Sequence, residues 1–259
     1  MSLSIRYSIH WPEYEQSESE PTSTVVLTSP AGRYVDIRKL INLTDQNSEN
    51  LGFDWYFAGY EIELSSTKIE FNHDFFDSKY IDYFYSHGKS STGFINSSDI
   101  GNFSNSTNEE EINKGIRIET GKMLNPKTNK IENYIEKWIS CNPKIDKLQF
   151  IGDLKLNCKC IVLDTLNGGI SDNESQNNYI GRYILYGNWI QALIWDKNEN
   201  QKINSIGILR TNINLKEPLI SFGKQIEKFP VLENLKDIRL SDTINCNRVL
   251  WKVVEFVND

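Results

Sequence analysis

Glu61-Ile62-Glu63-Leu64 and Lys68-Ile69-Glu70-Phe71 carry the signal that decides the fold: apolar and polar residues alternate with a period of two in both. That period puts successive side chains on opposite faces of a strand, and it does not fit one face of a helix. Ile116-Arg117-Ile118-Glu119 repeats it. Upstream, Thr24-Val25-Val26-Leu27-Thr28 is a β-rich run, then a Pro30-Ala31-Gly32 turn, then Tyr34, Val35, Ile37, Leu40 and Ile41, the pattern of a hairpin with a loose turn. Composition agrees. The 259 residues include three Ala (Ala31, Ala58, Ala192) against 31 Ile, a balance that disfavours helical bundles.

The rest of the chain is read the same way. Lys79 to Tyr85 is aromatic-rich, with Ile81, Tyr83 and Tyr85 on one face of an extended segment. Residues 86–114 are rich in Ser, Asn, Gly and Thr and read as a long mobile loop. Ile131, Ile135, Trp138 and Ile139 fit a helical stripe, although the composition there also suits a strand. Beyond Cys141-Asn142-Pro143, candidate strands are Lys147–Ile151, Cys158–Asp164, Tyr179–Asp196, Ile203–Arg210, Leu219–Phe222 and Arg248–Val257. Tyr179–Asp196 is long for one strand, so Gly187 should mark a bulge or bend. A short helix is expected around Gln225–Leu235, broken by Pro230. The prediction is an all-β protein with minor helix, built as two tandem antiparallel barrels over 1–141 and 142–259.

The net charge of −7 and the absence of any Lys/Arg run argue against nucleic acid and anionic lipid as partners. The richest apolar stretch, Tyr183 to Trp195, is far short of a membrane-spanning helix, and no signal-peptide pattern opens the chain. Stable membrane insertion is therefore not expected. The four Cys (Cys141, Cys158, Cys160, Cys246) lack a second Cys/His pair at zinc spacing, so no metal and no cofactor is predicted. Gly88-Lys89-Ser90 lacks the upstream Gly of a phosphate loop, since Tyr83 stands there. No catalytic residues are assigned. An enzyme would need a cleft with His73 or His87 beside a strongly perturbed carboxylate.

Several segments resemble one family. Phe53-Asp54-Trp55-Tyr56-Phe57-Ala58-Gly59, Gly187-Asn188-Trp189-Ile190-Gln191, Leu219-Ile220-Ser221-Phe222-Gly223-Lys224 with Pro230, and Leu250-Trp251-Lys252-Val253-Val254-Glu255-Phe256 follow the order and spacing of motifs in the fungal Hri proteins. The resemblance implies two lipocalin-like barrels. It also implies a cytoplasmic and nuclear, non-catalytic protein linked to a casein kinase I-type kinase and to a component of post-translational translocation. No known reaction or ligand comes with it. Homo-oligomerisation is compatible with the sequence.

Two kinds of site follow. One is a lumen lined by Trp55, Phe57, Trp189 and Trp251, with Gln191 orienting a ligand head group, which would make the protein a carrier or sensor of a hydrophobic small molecule. The plainer alternative is that the Trp rings fill the barrels and Gln191 serves a backbone group. The other is acidic: Ser17 and Ser19 within Glu13–Pro21, and Ser106 before Glu109-Glu110-Glu111, sit among carboxylates as acidophilic kinase targets do.

Overall fold

The computed structural model describes residues 2–14, 17–42, 51–141, 160–166 and 178–257. Eight strands make the first unit: β1 (Ser2–His10), β2 (Thr22–Thr28), β3 (Arg33–Leu40), β4 (Phe53–Ser65), β5 (Lys68–Asp77), β6 (Asp99–Asn105), β7 (Ile116–Asn125) and β8 (Lys130–Cys141). Each pairs antiparallel with the next, and β1 pairs with β8, so the sheet closes into a barrel. The β2–β3 hairpin turns at Pro30-Ala31-Gly32, where Gly32 takes φ +77°.

Two stretches of this unit differ from the sequence expectation. Ser78–Ser86 is a helix, α1, not an extended segment. The Asp77 side chain caps it by accepting from the Lys79 amide, and Tyr80 and Phe84, four apart on one face, pack on Trp195 at 5.8 and 5.0 Å. Residues 86–114 are not one long loop. They contain β6, which joins β5 to β7, and a short helix α2 (Glu109–Asn113) capped by Asn108. With only Ile100 and Phe103 as large apolar residues, β6 gives no alternation to read; the ladders on both sides hold it. The 131–139 segment, which the sequence leaves open between helix and strand, is strand β8.

The second unit is a seven-stranded antiparallel sheet in the order β13-β12-β11-β10-β9-β15-β14. Its strands are β9 (Cys160–Thr165), β10 (Tyr179–Tyr186), β11 (Trp189–Asp196), β12 (Ile206–Asn212), β13 (Ile220–Phe222), β14 (Thr243–Cys246) and β15 (Val249–Val257). Among the described residues this sheet is not closed, because no ladder joins β13 to β14. The expected strand Lys147–Ile151 lies outside the described residues. Tyr179–Asp196 is two strands: Gly187-Asn188 is a two-residue hairpin turn, with Gly187 at φ +57°. Ile203–Arg210 is split, with Lys202–Ser205 forming a one-turn helix before β12. The short helix near Gln225–Leu235 appears as two 3-10 turns flanking Pro230.

The barrel and the sheet share one core. Leu27, Val35, Ile37 and Ala58 from the outside of the barrel pack with Val162, Ile184, Leu193 and Ile208 of the sheet. The opposite face of the sheet has its own core around Trp251, Tyr183, Leu163 and Phe229. Polar groups at the junction are matched to backbone. Arg182 donates to the Gly59 carbonyl and pairs with Asp164 at 2.8 Å. Arg210 donates to the carbonyls of Ser23 and Ile37. Glu255 accepts from Ser29 Oγ (2.6 Å) and the Ala31 amide (2.9 Å) and pairs with Arg33 at 3.2 Å. A continuous apolar core, crossed by these hydrogen bonds and ion pairs, fixes the two units against each other. Among the described residues no helix is long and apolar enough to cross a membrane.

Candidate functional site

The alternation of β3 shows how the site is made. Tyr34, Asp36 and Arg38 line the barrel lumen, while Val35 and Ile37 between them face the sheet. Both faces of the strand are therefore buried, and its charges are on the inside. Other strands add to the lumen in the same way: Arg6 from β1, Trp55 and Phe57 from β4, His73 and Asp77 from β5, Asp99 from β6, Glu119 from β7, and Tyr134, Glu136 and Trp138 from β8.

Two cavities occupy this lumen. The outer one, about 680 Å³, is walled in part by Trp11, Trp55, Lys79 and Lys122. The inner one, about 40 Å³, is enclosed by Phe57, Phe71, Trp138, Glu119 and neighbours. Arg38, His73, Asp99 and Met123 line both.

The charges are partly tied together. Arg38 Nε donates to Asp36 Oδ2 at 2.9 Å, and its guanidinium lies 5.1 Å from the centres of the Trp55 and Phe57 rings. Arg6 binds Glu136 at 2.6 Å, Glu20 at 2.8 Å and Thr22 Oγ1 at 2.9 Å. Trp55 Nε1 donates to Asp77 Oδ1 at 2.8 Å, and the Lys79 ammonium sits 3.2 Å above the Trp55 ring. Tyr134 donates to Glu119 at 2.7 Å. His73 lies between two carboxylates, with Nδ1 3.8 Å from Asp77 and Nε2 3.6 Å from Asp99.

Burial sets the protonation of these groups. It pushes the Glu119 carboxyl up to about 8, with the charge of Glu136 adding to the effect. It pushes Asp77 up to about 6, against the hydrogen bonds from Trp55 and Lys79. Asp36 and Asp99 are raised by burial too. Burial, with the charges of Lys79 and Arg38, holds His73 down to about 3, so its imidazole is neutral. The arrangement can present hydrogen-bond acceptors and ring faces to a guest. Among the described residues no group of three or more His, Cys, Asp or Glu side chains is placed to hold a metal ion.

The aromatic set predicted as one lumen is divided. Trp55 and Phe57 are in the barrel, with ring centres 4.1 Å apart and planes tilted by 34°. Trp189 belongs to the core shared by barrel and sheet. Gln191 is there as well, donating to the carbonyls of Val35 (3.0 Å) and Val25 (3.1 Å) and accepting from Arg210 (2.9 Å), so it ties the two units together. Trp251 is on the far face of the sheet, its indole N–H bound to the Lys228 carbonyl at 2.9 Å. Ser17 is exposed. Ser19 has an exposed side chain on a backbone bridge to Ile9. Ser106 is buried, donating to Glu111 at 2.6 Å and accepting from the Asn108 amide. His87 stacks on Tyr83 at the surface, whereas His73 has the two carboxylate neighbours and the cleft that a chemical site would need.

Asp36, Arg38, Asp99, Glu119 and Glu136 are the lumen residues that sequence reasoning missed. A usable signal was Tyr34-Val35-Asp36-Ile37-Arg38, in which charges share a face with an aromatic ring.

Comparison with known proteins gives the chain its relatives. The family model described as "Protein HRI1" matches residues 2–255. Protein HRI1 of Vanderwaltozyma polyspora is 27% identical over 247 residues, covering 92% of each chain. Protein HRI1 of Saccharomyces cerevisiae strain YJM789 is 31% identical over 80 residues, which is 30% of this chain and 32% of that one. The crystal structure of the uncharacterized protein YLR301w from Saccharomyces cerevisiae superposes with a TM-score of 0.72 at 20% identity, covering 99% of this chain and 98% of that chain, and so shares its fold. The chain belongs to the Protein HRI1 family.

Proposed function

We propose that this chain is a non-catalytic binding protein whose N-terminal barrel holds an amphipathic small molecule, as a carrier or sensor. The carrying observation is the outer cavity of about 680 Å³, which shares Arg38, His73, Asp99 and Met123 with a small inner chamber. Ligand pockets have this size and this mixture of rings and few directed polar groups. The barrel is lipocalin-like in this reading: a closed antiparallel wall with an open end and a lumen too roomy for its own side chains. Binding is favoured over catalysis because the lumen groups are largely engaged with one another. The titratable neighbours of His73 are the carboxylates of Asp77 and Asp99, at 3.8 and 3.6 Å. The test is native mass spectrometry of the chain purified from a fungal lysate. A discrete small-molecule increment that disappears on denaturation is expected; only the bare-chain mass would contradict the reading.

A second reading, a partner of a casein kinase I-type kinase, is supported by one observation: Ser17 is exposed beside Glu18. Phosphorylation of Ser17 by such a kinase in vitro, abolished by Ser17→Ala, is the expected result. Label incorporation unaffected by that change would remove it.

A further inference from the structure

The inner chamber ends on polar atoms that the protein does not satisfy. Asp36 Oδ1, His73 Nε2 and Trp138 Nε1 are all buried without a hydrogen-bond partner, and all three residues line the same 40 Å³ cavity. Asp36 and His73 are each 2% exposed. A buried polar atom left unpaired is costly, so three around one small cavity mark a place for a polar guest, whether water or ligand.

The charge around the chamber is unbalanced. Arg38 is committed to Asp36 through the other carboxylate oxygen, and Arg6 to Glu136 and Glu20. Asp99 lines the same chamber with no Lys or Arg within ion-pair distance among the described residues, while Glu119, bound by Tyr134 and largely protonated near neutral pH, adds an acceptor but little charge. The remaining wall is aromatic: Tyr34, Phe57, Phe71 and Trp138. Ring faces carry negative potential and attract cations. An anionic head group would meet the carboxylates of Asp36, Asp99 and Glu136, whereas a cation would meet carboxylates and rings.

We propose that the inner chamber is an ammonium subsite, taking the protonated primary amine of a ligand whose apolar body lies in the outer cavity. This rests on the lumen-binding reading above and names the ligand class. The ammonium would donate to Asp36 Oδ1, His73 Nε2 and Asp99. Neutral His73 can accept at Nε2 when its proton is on Nδ1, which faces Asp77. The volume suits one small group, since a water occupies ~30 Å³ of liquid. Trp138 Nε1, the third unpartnered atom, is a donor that a hydroxyl would also serve, so an alcohol is the informative control.

The test is calorimetric titration of the full chain, near neutral pH, with octylamine, 1-octanol and octanoate. Octylamine is expected to bind at least about tenfold tighter than either of the others. Asp99→Asn is expected to weaken octylamine about tenfold and leave 1-octanol unchanged. This side chain is 23% exposed, so its replacement should leave the barrel intact. Equal or tighter binding of 1-octanol or octanoate would overturn the ammonium assignment while leaving the lumen as a binding site. A uniform loss of affinity in Asp99→Asn would overturn it as well. If none of the three binds, both the assignment and the lumen reading fall.

Discussion

The barrel and the sheet are built from the same antiparallel strands, yet they bury opposite chemistry. Closing eight strands encloses a lumen in which half of each strand's side chains meet, and this lumen holds Arg6, Asp36, Arg38, His73, Glu119 and Glu136. No described strand of the sheet lines either of the two lumen cavities. The sheet is covered on both sides, and all residues of β9 and β11 are buried. Polar side chains persist in its centre where they serve backbone or a single ion partner, as Arg182, Gln191 and Arg210 do. Enclosed volume, more than strand chemistry, separates a site from a core.

The largest expected effect probes the junction. Arg182→Ala leaves Asp164 buried without its cation and the Gly59 carbonyl without its donor. Unfolding in denaturant should show a loss of ~3–5 kcal/mol. A loss below ~1 kcal/mol would show that this pair is not what joins the units, since exposed pairs give such values.

A matched pair of Trp substitutions sharpens the contrast. Trp251→Phe removes volume and an indole hydrogen bond from a solid core, so ~1–3 kcal/mol should be lost. Trp138→Phe removes an N–H that has no partner at the edge of a cavity, and it should cost less than ~1.5 kcal/mol. Equal losses would mean that the lumen is packed like the core.

A smaller effect is read in pH. Glu119 has a raised pKa in the folded barrel, so its contribution to stability is present below its ordinary value of 4.5 and is lost as pH rises through about 8. Glu119→Gln should therefore leave the melting temperature unchanged in acid and raise it relative to the parent in mild alkali. His73 has the opposite sign. Its contribution is present above its ordinary 6.5 and lost as pH falls through about 3. A Glu119→Gln variant whose difference from the parent is the same at every pH would contradict the buried-carboxylate account.

The strands were legible where one face is polar, as in Glu61–Leu64 and the closing β15, and the family resemblance located Trp55 and Trp251 in it. The β10–β11 hairpin was masked because nearly every position is buried, so the period of two disappears. Helix α1 was masked because its aromatic density is equally strand-like until Asp77 is recognised as a cap. The lumen charges were hidden for a different reason. Alternation says that Asp36 and Arg38 share a face, but it cannot say whether that face is outside. Only closure of the barrel, a contact between β1 and β8 more than a hundred residues apart, turns them inward.

The central claim is that the barrel encloses a usable chamber to which no described strand of the sheet contributes. Met123 lines both cavities, so Met123→Trp should fill the lumen where they adjoin without touching the second unit. The direct measurement is a titration of the neutral dye Nile red into the parent, Met123→Trp and Trp251→Phe. Saturable binding to the parent and to Trp251→Phe, lost in Met123→Trp, is the predicted result. Binding that survives the plug, or that is lost only in Trp251→Phe, would contradict the account.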